Sequence, residues 1–118
     1  MKHIHHAIDY IELFSVDLDS ARTFYEDVFG WQFTEYGPDY LGIKSPLGKG
    51  EIGGIAGGRK PTHGGPLVLL FSEDLDATET NIVANGGNIT KAPYEFPGGR
   101  RLHFRDPCGN ELGVWSER

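Results

Sequence analysis

The sequence has one cysteine, one methionine and no long apolar run in its 118 residues. With Cys108 alone no internal disulfide is possible, and a reducing compartment is the expected home. Cys108 lies in the turn sequence Asp106-Pro107-Cys108-Gly109-Asn110, where an exposed turn residue is expected rather than a nucleophile. Nothing approaches the ~20 apolar residues of a membrane span. No long apolar run follows the basic residue near the N-terminus, so no signal peptide is expected and the cytoplasm is the expected location. Basic residues are also scarce. Eleven Lys and Arg stand against 17 Asp and Glu, a net charge of −6. Nucleic acid and anionic membranes both need basic patches, so neither is expected as a partner. The only basic cluster, Arg100-Arg101 with Arg105 nearby, is too small for a duplex footprint.

Glycine is plentiful. Its 17 residues have no collagen-like period and separate short apolar runs, as turns and bulges do. With 38% hydrophobic and 24% charged residues, the composition is that of a globular domain. The chain also repeats itself. Residues 13–19 read Leu-Phe-Ser-Val-Asp-Leu-Asp and residues 70–76 read Leu-Phe-Ser-Glu-Asp-Leu-Asp, six of seven positions alike at a spacing of 57. The same offset carries Thr23 onto Thr80 and Gly30 onto Gly87. Two copies of one supersecondary unit are therefore expected.

Each copy opens with a short apolar strand, Ile8 to Phe14 or Leu67 to Phe71. An Asp-rich break suited to a helix N-cap follows, Asp17 or Asp19 in one copy and Asp74 or Asp76 in the other. Ala21, Phe24, Tyr25, Val28 and Phe29 then form one face of an amphipathic helix, which Gly30 ends. The second helix is less apolar (Leu75, Ile82, Val83) and stops at Gly86-Gly87. Strands are expected over Trp31–Tyr36, Tyr40–Lys44 and Glu51–Ala56, and again over Asn88–Tyr94, Arg101–Arg105 and Glu111–Trp115. The pattern is β-α-β-β-β twice, an α+β chain. Residues 1–118 then make one domain, with module one at about 6–59, a linker at 60–66 and module two at about 67–117. Neither half can bury its sheet face alone, so the two must pack together or exchange with a second chain.

These residues resemble a known superfamily. Asp17-Leu-Asp-Ser-Ala-Arg-Thr-Phe-Tyr-Glu-Asp-Val-Phe-Gly-Trp31, Asp74-Leu-Asp-Ala-Thr, Gly86-Gly87 and Asp106-Pro-Cys-Gly-Asn110 resemble, in order, motifs of the vicinal oxygen chelate superfamily of glyoxalases, bleomycin-resistance proteins and extradiol dioxygenases. The Phe-Gly-Trp variant looks most like its lactoylglutathione lyase-related branch. The resemblance implies two βαβββ modules curling a mixed sheet into a cup that holds a small molecule, often in a homodimer. It also implies metal ligands at three places, occupied here by Tyr10, Leu67 and Gly113. Leucine and glycine cannot ligate, and tyrosine is an uncommon ligand. No metal and no cofactor are therefore expected.

Strand alternation places other polar groups beside those three positions. Glu12 shares the face of Tyr10, Glu111 and Trp115 share that of Gly113, and the resemblance adds His103 and Arg101. The expected cup holds Tyr10, Glu12, Arg101, His103 and Glu111, ringed by Phe71 and Trp115. His103 or Glu12 would be the general base, and a nearby carboxylate is expected to favour charged His103. Bland roles stay open beside these: a Glu12–Arg101 structural pair, a hydrogen-bonded strand His103, a rim position for Glu111. His3, His5, His6 and His63 are expected to have no functional role, and the Gly53-Gly54 and Gly57-Gly58 pairs to be closely packed or bulged strand. The expected function is binding of a small polar or aromatic molecule without the usual divalent metal, with enzyme activity left open. The alternatives are a metal-dependent lyase or isomerase at a shifted Glu12/His103/Glu111 site, and sequestration of a cationic drug.

Overall fold

A computed structural model describes residues 3–118. The first half contains β1 (Ile11–Ser15), α1 (Leu18–Phe29), β2 (Phe33–Glu35), β3 (Tyr40–Lys44) and β4 (Glu51–Gly57). The second contains β5 (Val68–Phe71), α2 (Leu75–Ala84), β6 (Asn88–Phe96), β7 (Gly99–Arg105) and β8 (Glu111–Ser116). Each half folds its own four-stranded mixed sheet, in the orders β1-β4-β3-β2 and β5-β8-β7-β6. In each, the first strand runs parallel to the last and the other pairs are antiparallel. The helix is the crossover that a parallel pair requires.

Asp17 and Asp74 are the helix N-caps, accepting from the amides of Ser20 and Ala77, each at 3.1 Å. Gly30 ends α1 in the left-handed region at φ 69°, where a Cβ would be strained. Register then sorts the side chains into two layers. Leu13, Ile55 and Leu41 stand in one row across the first sheet, and Leu70, Val114 and Leu102 in the matching row of the second. These rows join Ala21, Phe24, Tyr25, Leu75, Ile82 and Phe104 in one buried core that spans both halves. Full burial of a side chain such as Phe104 stabilises the fold by ~1.5–3 kcal/mol. Tyr25 donates to Asp106 at 2.7 Å and the Asn110 amide donates to the Phe14 carbonyl at 2.8 Å, tying the first half to the β7–β8 turn.

Three expectations are corrected. The first strand begins at Ile11 rather than Ile8, because pairing with β4 starts at Ile11 opposite Gly53. Val83 is exposed rather than part of the apolar face, since α2 meets the core on a stripe narrow enough to bury Leu75 and Ile82 alone. Cys108 is half-buried rather than exposed. Its sulfur accepts from the Ser15 hydroxyl at 3.0 Å, and burial pushes the thiol pKa up, away from nucleophilic character.

Candidate functional site

The sheet faces turned away from the helices carry the chemistry. In the first half, Glu12, Gly54 and Gly42 form one row, and Phe14, Ala56 and Tyr40 the next. Glycine leaves room for side chains to settle on the first row. A Cβ at Gly54 would meet the hydroxyls of Tyr40 and Tyr10, and one at Gly42 the carboxylate of Glu51. The Tyr10 and Tyr40 hydroxyls therefore come together over bare backbone, 2.6 Å apart, and Tyr40 donates to Glu12 at 2.8 Å. Tyr36 donates to Glu51 at 2.6 Å beside them. Desolvation and these bonds raise the Tyr40 pKa, so the phenol stays a proton donor. The result is a wall of phenols and carboxylates.

The second half repeats the rows with other residues. Leu69, Gly113 and His103 form the first, and Phe71, Trp115, Arg101 and Tyr94 the second. Leu69 and Leu67 cover Gly113. Phe71 and Phe96 both meet the Trp115 ring edge-on, at 4.9 and 6.2 Å. Arg101 lies 5.7 Å from the Tyr94 ring and 5.8 Å from that of Phe96, and the Lys91 ammonium 4.4 Å from Tyr94. Arg101 Nη2 and Tyr94 Oη each stand 3.2 Å from His103 Nε2. A guanidinium only donates, so this nitrogen is an acceptor and His103 is neutral in this arrangement. Burial, then Arg101 and Lys91, lower the His103 pKa against the opposing pull of Glu111. Glu111 does favour charged His103, as expected of a nearby carboxylate, but burial and the two cations outweigh it.

The two walls meet in a cleft of about 600 Å³ bordered by Tyr10, Glu12 and Phe14 on one side and His103 and Glu111 on the other. Linker residues Thr62 to Pro66 also border it. Four of the expected cup residues are thus brought to one cavity. Arg101, Phe71 and Trp115 lie farther along the second wall instead. Glu12 is not paired with Arg101, since its carboxylate accepts from Tyr40. Glu111 is exposed at the rim and accepts from Thr90 at 2.7 Å.

The three positions at which the resemblance implies metal ligands hold no set of donors for a divalent ion. Tyr10 is turned to Tyr40, and Leu67 and Gly113 offer no donor. Among the described residues no group of three or more His, Cys, Asp or Glu side chains is placed to hold a metal. That includes Glu12, His103 and Glu111, and the N-terminal histidines. There His3 contacts Asp9 at 2.6 Å and His5 stacks on His6.

The sequence expectations did not include Tyr36, Tyr40, Glu51, Lys91, Tyr94 or Phe96. Tyr40 was within reach, because a hairpin register sets it on the face of Gly54's strand that carries Ala56. Lys91 and Tyr94 were not, because β6 shifts register between Ile89 and Lys91 and again between Lys91 and Tyr94. Those shifts break the alternation on which such a reading depends.

Comparison with known proteins bears on this cleft. The family model described as Glyoxalase/Bleomycin resistance protein/Dioxygenase superfamily matches residues 7–114. The anthracycline biosynthesis protein DauV of Streptomyces sp. (strain C5) is 31% identical over 113 residues, covering 92% of this chain and 40% of DauV. The chain thus spans well under half the length of that relative. A glyoxalase/bleomycin resistance protein/dioxygenase family enzyme from Burkholderia phytofirmans PsJN superposes with a TM-score of 0.79 at 20% identity, over 94% of this chain and 98% of that one. A lactoylglutathione lyase from Agrobacterium tumefaciens gives 0.67 at 21% identity, over 94% and 93%. At these identities the structures establish the fold and leave the chemistry to the residues.

Proposed function

The chain belongs to the glyoxalase/bleomycin resistance protein/dioxygenase superfamily, and on that premise we propose that it binds a small planar aromatic molecule with polar substituents in the cleft, without a divalent metal. The observation that carries this is the pairing of unlike walls around one cavity of about 600 Å³, a size suited to a small organic ligand. Tyr10 and Phe14 border it with aromatic rings, and Phe71, Phe96 and Trp115 extend the aromatic surface along the second wall beyond it. Tyr10, Tyr40 and Glu12 supply hydrogen-bonding groups at the other side. DauV is named for anthracycline biosynthesis, and an anthracycline is a fused-ring aromatic bearing phenols and carbonyls, which favours this class of ligand. The neutral His103 imidazole is the form a general base uses, which favours acid–base turnover as a second reading. The protein acts in the cytoplasm in this proposal. Exposed Ile4, Ile8 and Ile52 support a homodimer.

Calorimetric titration with 1,4-dihydroxyanthraquinone tests the proposal. Saturable binding is expected, weakened about tenfold in Tyr10→Ala and in Phe71→Ala. An absence of saturable binding, or an affinity that neither variant weakens, overturns it. Mass analysis after incubation separates the two readings. An unchanged ligand supports binding alone, whereas a product lost in His103→Ala supports turnover.

A further inference from the structure

Arg101 is placed as few charged side chains are. It is half-buried in the second wall, between the rings of Tyr94 and Phe96. Its Nε is buried and has no hydrogen-bond partner. The ion pairs of the described residues join His3 to Asp9, Arg22 to Glu26 and Glu35, and Arg100 to Asp76, and none includes Arg101 or Lys91. This occurs in a chain with six more acidic than basic side chains. Removing a guanidinium from water without a counter-charge is costly. The contact Arg101 does make, to neutral His103 at 3.2 Å, leaves its charge uncompensated. Lys91 adds a second cation on the neighbouring strand, opposite His103 in register. The carboxylate that acts on His103, Glu111, is exposed and engaged by Thr90.

We infer that Arg101, with Lys91 and His103, forms an anion subsite that takes an ionised oxygen carried on an aromatic ring, a carboxylate or phenolate, while the ring lies against Tyr94, Phe96 and Trp115. This rests on the cup being a pocket for aromatic ligands and names the charge and orientation of that ligand. Guanidinium forks recognise carboxylates with paired, charge-assisted hydrogen bonds; Arg101 Nε is closed to solvent, so the half-exposed side chain presents its two Nη groups as the fork. A ligand seated this way directs its other end towards Tyr10, Tyr40 and Glu12, where hydroxyls and amines find acceptors. The acidic first wall repels an oxyanion, so the two walls fix one orientation.

Calorimetry with a matched pair of probes tests the subsite: anthraquinone-2-carboxylate and anthraquinone-2-carboxamide, at about pH 8, where His103 is neutral. The carboxylate is expected to bind at least about tenfold more tightly than the amide. Arg101→Gln should bring that ratio to about one and leave amide affinity within about threefold, whereas exposed Lys91→Gln should lower the ratio by about two- to threefold. Equal affinities in the parent protein, or an undiminished ratio in Arg101→Gln, overturn the anion subsite and leave the aromatic cup standing. Failure of both probes to bind overturns the cup and the subsite together. Inorganic sulfate serves as competitor: displacement of the carboxylate but not the amide supports the subsite, and equal displacement of both overturns it. A second readout avoids any folding defect in Arg101→Gln. The carboxylate should raise the His103 titration midpoint measured by NMR, because it offsets the Arg101 charge, while the amide should not. A midpoint unmoved by bound carboxylate overturns the assignment.

Discussion

The two halves of the molecule agree on one side of their sheets and disagree on the other. Towards the helices, Leu13, Ile55 and Leu41 in the first half correspond to Leu70, Val114 and Leu102 in the second. Away from the helices, the row Glu12–Gly54–Gly42 corresponds to Leu69–Gly113–His103, and Phe14–Ala56–Tyr40 to Phe71–Trp115–Arg101. One face is uniformly apolar because it must fill a shared core. The other is free of that demand and has become acidic and phenolic in one half, cationic and aromatic in the other. Similarity between the copies therefore tracks packing, and their difference tracks the cleft.

The sharpest break in the comparison lies in the turns. The β3–β4 and β7–β8 turns both close through an i to i+3 backbone bond, Gly48 to Ser45 and Gly109 to Asp106. Ser45 Oγ accepts from one amide, that of Leu47. Asp106 accepts from the amides of Cys108, Gly109 and Asn110, from the Asn110 side chain, and from Tyr25 in the other half. Asp106→Ala leaves the Tyr25 hydroxyl and the Asn110 backbone amide buried without a partner and should cost about 3 kcal/mol or more. Ser45→Ala should cost about 1 kcal/mol or less. Urea unfolding of both variants checks the contrast. Equal losses would show that Asp106 is a turn residue like Ser45 and not a tie between halves.

Most of the fold was legible because packing leaves periodic marks. The Leu-Phe-Ser-x-Asp-Leu-Asp repeat located both strand–helix junctions, and the face of Ala21, Phe24 and Tyr25 gave α1. The resemblance named a family that the match over residues 7–114 establishes. In the site, the resemblance supplied Tyr10 and His103 and regular strand alternation added Glu12 and Glu111, and these four border one cavity. Partnerships escaped. Nothing local in the sequence says that Glu12 meets Tyr40 rather than Arg101, since this depends on which strand lies beside which. The His103 charge state escaped for the same reason. Its balance is set first by burial, then by Arg101 on its own strand and by Glu111 and Lys91 on two others.

A smaller effect separates wall from framework in the first half. Tyr40→Phe removes the hydroxyl that links Tyr10 to Glu12 and keeps the ring. Water can reach the exposed Glu12 and Tyr10 and replace what is lost, so the cost should be about 1 kcal/mol or less by urea unfolding. A loss well above ~2 kcal/mol would place this wall among the elements that hold the fold, and its difference from the second wall would then concern stability more than recognition.

The smallest effect concerns pH, and here the halves differ because His103 corresponds to Gly42. The folded-state pKa of His103 lies below the ordinary 6.5. Between those two values the unfolded chain binds more protons at this residue than the folded one, so stability rises with pH. The contribution is complete above about pH 6.5, falls as the solution is acidified, and levels off below the folded-state value. His103→Gln should remove this part of the slope in unfolding measurements between about pH 5 and 8. Lys91→Gln should raise the NMR midpoint of His103 towards 6.5, and Glu111→Gln should lower it. Solvent around the half-exposed ring keeps each change small. A midpoint above 6.5 in the parent protein would mean that the carboxylates govern this wall, and the contrast between a cationic and an acidic half would not hold.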